Sequence, residues 1–154
     1  MEAKKNKIDF ENSIGPWLGK TVKILDFFAQ ESFNEAALDL TKEQMIVLKK
    51  LSDTNGLNQN ELAFLTLRNK SSLTRLLSKM EAKKYIKREQ DTLDKRIKRV
   101  YITKTGTAVF LKTRPVIADF IKRIEHNIST EDKQEMIKIL KKIQLNFGSK
   151  TESI

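Results

Sequence analysis

Residues 58–106 decide the fold, and they read NQNELAFLTLRNKSSLTRLLSKMEAKKYIKREQDTLDKRIKRVYITKTG. Asn58 is a good cap for a short first helix, and Asn69 is placed to cap a second helix after the turn TLRNK. Two strands of alternating apolar and polar residues follow at residues 85–90 and 97–102, joined by the loop DTLDKR. This order of short helix, tight turn, longer helix and hairpin predicts a helix-turn-helix motif with an appended wing.

The second of these helices separates an apolar face from a small, polar face. At about 100° per residue, its apolar positions fall on one side: Leu73, Leu76, Leu77 and Met80. Its polar positions fall on the other side: Ser71, Arg75 and Ser78, flanked by Thr74 and Lys79. Small side chains let a helix approach another surface closely, and an arginine can bind guanine through two hydrogen bonds. The face therefore suits the major groove of DNA, although an amphipathic helix with a solvated face gives the same pattern.

Positive charge is concentrated in the same stretch of the chain. The 154 residues carry a formal net charge of +10. The segment from Arg68 to Lys104 contains 13 Lys and Arg against 4 Asp and Glu, whereas the rest of the chain contains 17 against 16. A concentrated basic segment indicates a polyanionic partner, and a solvated charged surface is the alternative. Because a ribbon tip fits the minor groove and a helix does not, a basic hairpin favours double-stranded DNA.

Helices are predicted on both sides of this stretch. Residues 14–33 have an apolar stripe that is wider than one small core needs, which is typical of a helix that packs against another chain. Thr41 caps the next helix. A long helix then contains Pro115, which predicts a kink or a break near residues 112–114, and Ser129 caps a final helix. The long helix is expected to bury its apolar positions: Val109, Phe110, Val116, Ile117, Phe120, Ile121 and Ile124.

Composition argues against several classes of function. The chain has no cysteine, which excludes disulfides, cysteine nucleophiles and thiolate metal sites. His126 is the single histidine, so we expect it at a surface or an interface rather than in a metal cluster. No glycine motif for phosphate binding or for a nucleophilic serine occurs. We therefore expect no enzymatic activity, no cofactor and no metal.

The N-terminus and the hydropathy pattern bear on location. The first twelve residues, MEAKKNKIDFEN, contain no apolar signal region. No apolar run approaches the roughly 18 residues that a membrane-spanning helix needs. We therefore expect a cytoplasmic location and no membrane partner.

The segment from Leu40 to Gly106 resembles the MarR (multiple antibiotic resistance regulator) family of transcription factors. The matching stretches are LTKEQ (40–44), NQNELA (58–63), NKSSLTRLLSKMEAK (69–83), DKR (94–96) and YITKTG (101–106). The combination Asp-x-Arg followed by Ile-Thr-x-x-Gly, shortly after the second helix, is the most discriminating part. The flanking helices also match the family layout, so the resemblance covers nearly the whole chain.

This resemblance implies a fold and a function. The fold class would be mainly α with a small β-wing (α+β), a winged helix-turn-helix with N- and C-terminal dimerisation helices. Residues 36–106 would be the DNA-binding domain, and residues 1–35 and 107–154 the dimerisation region. The protein would be a homodimeric regulator, and we expect a repressor, that binds a pseudo-palindromic operator and is commonly released by a small-molecule effector. The alternative is a winged helix used for protein–protein contact without sequence-specific DNA binding.

The resemblance also implies roles for individual residues. Arg96 would enter the minor groove, with a solvated loop charge as the alternative, and Asp94 would orient a basic side chain of the wing or cap a local turn. The full set of expected DNA contacts comprises Asn69, Lys70, Ser71, Ser72, Thr74, Arg75, Ser78, Lys79, Lys87, Arg88, Asp94, Lys95, Arg96, Lys98 and Arg99. Three aromatic residues are candidates for an effector pocket, although ordinary core packing is the alternative: Trp17, Phe27 and Phe28.

The chain departs from the family pattern at one position. Lys84 stands where the family usually has a glycine that ends the second helix. Because a lysine in the left-handed conformation carries a steric penalty, we expect the helix to end differently here. The wing loop also lacks glycine and proline, which leaves its conformation open at this point.

Overall fold

The structure is a computed structural model that describes residues 8–148. Within that range, six helices and three short strands follow one another along the chain. They are α1 (Ile14–Glu35), α2 (Lys42–Asp53), β1 (Leu57–Asn58), α3 (Gln59–Leu65), α4 (Lys70–Ala82), β2 (Ile86–Gln90), β3 (Lys98–Ile102), α5 (Lys104–Ile124) and α6 (Thr130–Leu145). The predicted fold class, a mainly helical winged helix with a small sheet, is confirmed.

The helix starts follow from local hydrogen bonding, and the predicted caps are confirmed. The Thr41 hydroxyl accepts from the Gln44 N–H while the Gln44 side chain accepts from the Thr41 N–H, which completes a capping box. Asn58 and Glu61 form the same reciprocal pair at the start of α3. Asn69 caps α4 by accepting from the backbone N–H three residues later, at 2.8 Å. Each cap satisfies N–H groups that the first helical turn leaves unpaired.

The three strands form one antiparallel sheet in the order β1-β3-β2. Arg88 of β2 lies opposite Val100 of β3, and Leu57 of β1 lies opposite the same Val100 from the other side. The sequence did not predict β1, because two residues are too short to show an alternating pattern. The preceding Gly56 has a φ of 81°, a conformation that favours glycine, and its N–H donates to the Val100 carbonyl.

The core lies inside the winged-helix part. Helices α2, α3 and α4 and the inner face of the sheet bury a continuous apolar cluster whose innermost members are Val47, Leu48, Leu51, Leu62, Leu73, Leu77, Met80, Ile86 and Val100. Helix α5 adds Phe110 to this cluster, as predicted. The apolar face of α4 is thereby held against the core, and its polar face is left outward.

The prediction of buried positions along α5 is wrong for its C-terminal half. Ile121 and Ile124 are exposed, and Val116 and Ile117 are only partly buried. The reason is that α5 extends past the winged-helix core, and the packing that one chain offers there leaves these side chains largely open to solvent. A break at Pro115 is also wrong, because α5 runs as one helix from Lys104 to Ile124. Pro115 lies at an exposed position, where water can serve the carbonyl that loses its partner.

The end of α4 corrects the expectation about Lys84. Lys84 does adopt the left-handed conformation, with a φ of 60°. Its N–H donates to the Glu81 carbonyl at 2.9 Å, and the Tyr85 N–H donates to the Met80 carbonyl at 3.0 Å. This pair of bonds is a Schellman motif, and the buried Tyr85 and Met80 supply its apolar contact. The buried neighbours therefore outweigh the local penalty at the lysine.

Gly106 fixes how closely α5 approaches the end of α4. A Cβ atom at this position would lie 2.0 Å from the Tyr85 carbonyl oxygen, so only glycine fits. Thr103 caps α5 and binds the same junction, because its hydroxyl donates to the Lys84 carbonyl at 2.6 Å. The Thr-x-x-Gly sequence therefore joins α5 to the point where α4 turns into the wing.

Candidate nucleic-acid interface

The outward face of α4 presents small polar side chains beside long cations. Six residues of α4, together with Arg68 from the preceding turn, line one open cleft: Ser72, Thr74, Arg75, Leu76, Ser78 and Lys79. Arg68 donates to the Ser72 hydroxyl at 2.7 Å, which holds the arginine along the helix start. Sequence reasoning missed Arg68 because it precedes the helix cap and belongs to no periodic face.

Three cations of α4 are not engaged by carboxylates. Within residues 8–148, Lys70, Arg75 and Lys79 take part in no ion pair and lie at exposed positions. The smaller side chains of the face are locally satisfied. The Ser71 hydroxyl donates to the Asn69 side chain at 3.0 Å, and the Thr74 hydroxyl donates to the Lys70 carbonyl at 2.8 Å. The face therefore combines fixed small residues with cations that remain available to an external anion.

Arg88 is bound to α4 rather than free on the wing. Its guanidinium donates to the Glu81 carboxylate at 2.6 and 3.0 Å and to the Ser78 hydroxyl at 3.3 Å, and its own N–H donates to Glu81 at 3.1 Å. The Arg88 side chain is only 18% exposed. The hydrogen bond from Arg88 lowers the pKa of Glu81. Arg88 thus connects the wing to α4.

Arg99 has a comparable structural role at the base of the wing loop. It forms an ion pair with the Asp91 carboxylate and donates to the Gly56 carbonyl at 3.0 Å. The Arg99 hydrogen bond, helped by the backbone N–H groups of Asp94 and Leu93, lowers the pKa of Asp91 to about 2. Arg99 therefore links β3, the wing loop and the turn before β1.

The wing loop is organised by two aspartates, which explains how it forms without glycine. The Asp91 carboxylate accepts from the N–H groups of Leu93 and Asp94 at 2.8 and 3.1 Å. The Asp94 carboxylate accepts from the Arg96 N–H at 3.0 Å. None of residues 91–97, all of which the structure describes, has a positive φ, so the loop requires no left-handed residue.

Asp91, which organises the wing loop, is the wing residue that sequence reasoning overlooked. Asp94 has the turn-capping role that was left open for it, and the carboxylate that pairs with a basic side chain is that of Asp91. The signal was present in the sequence as two aspartates three residues apart at the start of a glycine-free loop.

The remaining wing cations are exposed. Lys95, Arg96 and Lys98 make no ion pair within residues 8–148. Lys87 pairs with Glu89 at 2.6 Å and lies 5.5 Å from the centre of the Tyr101 ring. The hydrogen bond with Glu89 raises the pKa of Lys87 above its ordinary value.

The expected DNA contacts fall into two groups in space. Thr74, Arg75, Ser78 and Lys79 line the α4 cleft, and Arg88 touches it through Ser78. Two other cations, Arg96 and Lys98, line a second cleft together with residues 58–60 at the start of α3. The structure therefore separates a helix-borne group from a wing-tip group.

The three candidate pocket residues lie on the surface of α1. Trp17 and Phe27 are 59% and 60% exposed, and Phe28 is 38% exposed. Phe27 and Phe28 meet edge to face with ring centres 5.2 Å apart, and the Arg123 guanidinium lies 5.6 Å from the Phe28 ring centre. Trp17 lies about 15 Å along the helix from Phe27, given about 1.5 Å per residue. One chain leaves all three side chains open to solvent rather than enclosed.

Residues 8–148 contain neither a candidate metal cluster nor a membrane-spanning helix. No group of three or more His, Asp or Glu side chains within residues 8–148 could hold a metal ion. Over the same range, no helix is long and apolar enough to cross a membrane.

Known proteins are similar to this chain in sequence and in fold. The MarR family model matches residues 40–98. The transcriptional regulator HosA of Escherichia coli O157:H7 is 27% identical over 105 residues, which covers 68% of this chain and 78% of HosA.

Two solved structures agree in fold. The transcriptional repressor CouR, bound to a 23-mer DNA duplex, matches with a TM-score of 0.81 at 19% identity, over 94% of this chain and 99% of CouR. BpsR of Bordetella bronchiseptica, whose DNA binding is regulated by 6-hydroxynicotinic acid, matches with a TM-score of 0.82 at 17% identity, over 90% and 98% of the two chains. Residues 40–98, which contain the helix-turn-helix and most of the wing, thus match the MarR family, and HosA, to which this chain is similar, is a transcriptional regulator.

Proposed function

We propose that the chain is a homodimeric repressor that binds a pseudo-palindromic operator, with α4 in the major groove and the wing tip in the minor groove. The observation that carries this proposal is the division of the arginines into two classes. Arg88 and Arg99 are tied into the fold, whereas Arg75 and Arg96 lie outside every ion pair among residues 8–148. Cations that the fold does not use remain available for phosphates and base edges.

The α4 face supplies the proposed major-groove contacts. Ser71 and Ser72 at the helix start let the backbone come close to the DNA, and Arg75 reaches base edges one turn further along. Asn69 and Thr74 support this face, because their side chains are occupied by local hydrogen bonds that fix the helix start. Ser78 is placed by its hydrogen bond with Arg88 and marks the limit of the contact.

The wing supplies the proposed minor-groove contact. Arg96 enters the groove, where a narrow A·T tract attracts a guanidinium, and Asp94 fixes the turn that presents it. Four lysines contact phosphates on either side: Lys70, Lys79, Lys95 and Lys98. Lys87 can join them, because its exposed pair with Glu89 contributes little stability and can be exchanged for a phosphate.

The outer helices supply the proposed dimer interface, formed from residues 1–35 and 107–154, of which residues 1–7 and 149–154 lie outside the described residues. Helix α6 buries no residue within the described chain, although its apolar stripe includes Met136, Ile137 and Ile139. Helix α1 buries only Phe33. An apolar surface of this extent on a protein that binds a two-fold DNA site supports association with a second copy.

A small-molecule effector is proposed to bind near this interface. Trp17, Phe27 and Phe28 offer exposed aromatic surface on α1, and Arg123 beside Phe28 offers a cation to an acidic ligand. A second chain would enclose these side chains, which one chain leaves open. The regulation of BpsR by 6-hydroxynicotinic acid supports an aromatic acid as the first class of ligand to test.

The proposal is tested with a duplex taken from the region upstream of the protein's own gene. Fluorescence anisotropy measures Kd between 50 and about 250 mM salt, and several phosphate contacts predict a steep loss of affinity as salt rises. Arg96→Ala is expected to weaken binding about tenfold or more and to reduce the salt slope by roughly one, because a guanidinium leaves the groove. Lys49→Ala is the control of equal charge change, on an exposed position of α2 that lies outside the proposed DNA contacts and the proposed dimer interface.

Either of two results would overturn the proposal. Equal effects of Arg96→Ala and Lys49→Ala would show that the wing arginine acts only through net charge. Binding that is the same for the upstream duplex and for an unrelated duplex would favour a winged helix that contacts proteins instead of an operator.

A further inference from the structure

Leu93 stands at the tip of the wing with 97% of its surface exposed, the largest exposed fraction of any large apolar side chain within residues 8–148. Single exposed leucines are common on protein surfaces and need no explanation by themselves. Leu93 differs from such a residue because its backbone is held in place. Its N–H donates to the Asp91 carboxylate, and Asp91 is in turn anchored by Arg99. The leucine adds nothing to the core, yet it is presented by an ordered loop.

The loop closes above this anchor and leaves little freedom at the tip. The Asp91 N–H donates to the Ile97 carbonyl at 2.9 Å, and the Ile97 N–H donates to the Asp94 carbonyl at 2.9 Å. Seven backbone groups and two carboxylates thus form five hydrogen bonds across seven residues. A side chain on such a loop meets a partner with little ordering cost, so an apolar contact made there retains most of its free energy.

The surroundings of Leu93 identify the chemistry of that partner. Lys95 and Arg96 follow it within three residues, and both are exposed and outside any ion pair in the described chain. The Asp94 carboxylate is turned back to the Arg96 N–H. A partner that receives Leu93 must therefore accept two cations and an apolar group at the same narrow tip. The minor groove of DNA has this composition, because phosphates border it and the C–H groups of deoxyribose form its walls.

We propose that Leu93 is a second DNA-contacting residue of the wing, which packs against the deoxyribose wall of the minor groove beside the guanidinium of Arg96. This inference rests on the proposed function, since it requires the wing tip to enter the groove. Leu93 excludes water from one side of Arg96 and so strengthens the interaction of that cation with the groove. It also favours a narrow groove, because a wide one would carry the sugar wall out of reach of the leucine.

The proposal separates Leu93 from Arg96 by its response to salt. In the anisotropy assay with the upstream duplex, Leu93→Ser is expected to raise Kd about five- to tenfold, from the apolar area lost to water. The salt slope should stay at the wild-type value, because no phosphate contact is removed. Leu93→Met should bind like the wild type, since it restores an apolar side chain of similar volume. Thr92→Ala, at the neighbouring exposed position, should also leave Kd unchanged.

Hydroxyl-radical footprinting locates the contact, because the radical attacks deoxyribose from the minor groove. The sugars beneath the wing should be protected by the wild type and should become reactive with Leu93→Ser. A wild-type Kd and wild-type protection for Leu93→Ser, with Arg96→Ala impaired, would overturn the role of Leu93 alone. A reduced salt slope for Leu93→Ser would also overturn it, because the contact would then be electrostatic. A wild-type Kd for Arg96→Ala would instead overturn the minor-groove role of the whole wing.

Discussion

The winged-helix part and the outer helices differ in how they bury apolar side chains. Every buried apolar residue within residues 8–148 lies between Phe33 and Phe110. By contrast, the 16 residues of α6 contain none. The winged helix therefore has a core of its own, whereas the outer helices keep the apolar surface that a second chain would cover. The protein therefore has two sources of stability, the core of the winged helix and the apolar surface of the outer helices. We expect only the contribution of the outer helices to depend on protein concentration.

Substitutions at two glycines, Gly106 in the first turn of α5 and Gly19 inside α1, are expected to differ most in their effect on stability. Gly106→Ala should destabilise the protein by about 4 kcal/mol or more, because its Cβ would lie 2.0 Å from the Tyr85 carbonyl oxygen and the backbone must shift. Gly19→Ala is the matched control in α1, where nothing lies within 4 Å, and it should stabilise the helix by up to about 1 kcal/mol. Urea unfolding monitored by circular dichroism measures both. Similar free energies for the two variants would contradict the close packing at Gly106.

Truncation of one apolar residue in each region tests the comparison directly. Leu77→Ala should lower the free energy of unfolding by about 3 kcal/mol at every protein concentration, because Leu77 is fully buried in the core of its own chain. Ile137→Ala, at a half-exposed position of α6, should act mainly on dimer formation. Its destabilisation should then be absent where neither protein is dimeric and should grow to a constant value as protein concentration rises. Unfolding curves that do not depend on concentration for wild type and Ile137→Ala would argue against the proposed dimer.

A smaller effect is expected where α4 turns into the wing. Lys84→Gly should stabilise the protein by about 1 kcal/mol, because glycine adopts the observed left-handed conformation without a steric penalty. Ala82→Gly, two residues earlier and still helical, should destabilise it by about 1 kcal/mol. Thermal unfolding of both variants shows whether each change raises or lowers the stability. A destabilised Lys84→Gly would mean that the lysine side chain makes a contact that outweighs the backbone strain.

The smallest expected effect depends on pH and concerns the base of the wing loop. The folded pKa of Asp91 is about 2, below the ordinary value of 3.8, so its contribution to stability is fully present above about pH 4. That contribution is lost as the pH falls towards 2, where the carboxyl binds a proton in the folded state as well. In Arg99→Gln the Asp91 pKa should move up towards its ordinary value. Carboxyl-detected NMR titration measures it, and an unchanged pKa would show that the backbone N–H groups alone lower it.

The sequence predicted what depends on short-range hydrogen bonding. The caps at Thr41, Asn58 and Asn69 were predicted correctly, because donor and acceptor lie within three residues of each other. The apolar face of α4 was also predicted, since its helical period is regular. The order of elements followed from these two signals. The winged-helix fold could therefore be read from the sequence almost completely.

What the sequence could not predict depends on contacts between elements. Arg88 and Arg99 look like phosphate contacts in a basic hairpin, but their partners lie seven and eight residues away, in another element or at the far end of the loop. Lys84 adopts an unfavourable backbone conformation because the buried Tyr85 and Met80 require it. A periodic pattern gives no information on such pairs. It also does not distinguish an apolar side chain buried in its own chain from one that a second copy would cover.

The Arg88 clamp also bears on how an operator can vary. Four hydrogen bonds from Arg88 of β2 reach two residues of α4, Glu81 and Ser78, so α4 and the wing are expected to move as one rigid unit. The distance between the proposed major-groove and minor-groove contacts of one protomer is then constant. In the proposed dimer, any tolerance for base pairs inserted between operator halves would have to come from the outer helices, which would join the two protomers. A base pair inserted within a half-site, between the two contacts of one protomer, is therefore expected to weaken binding.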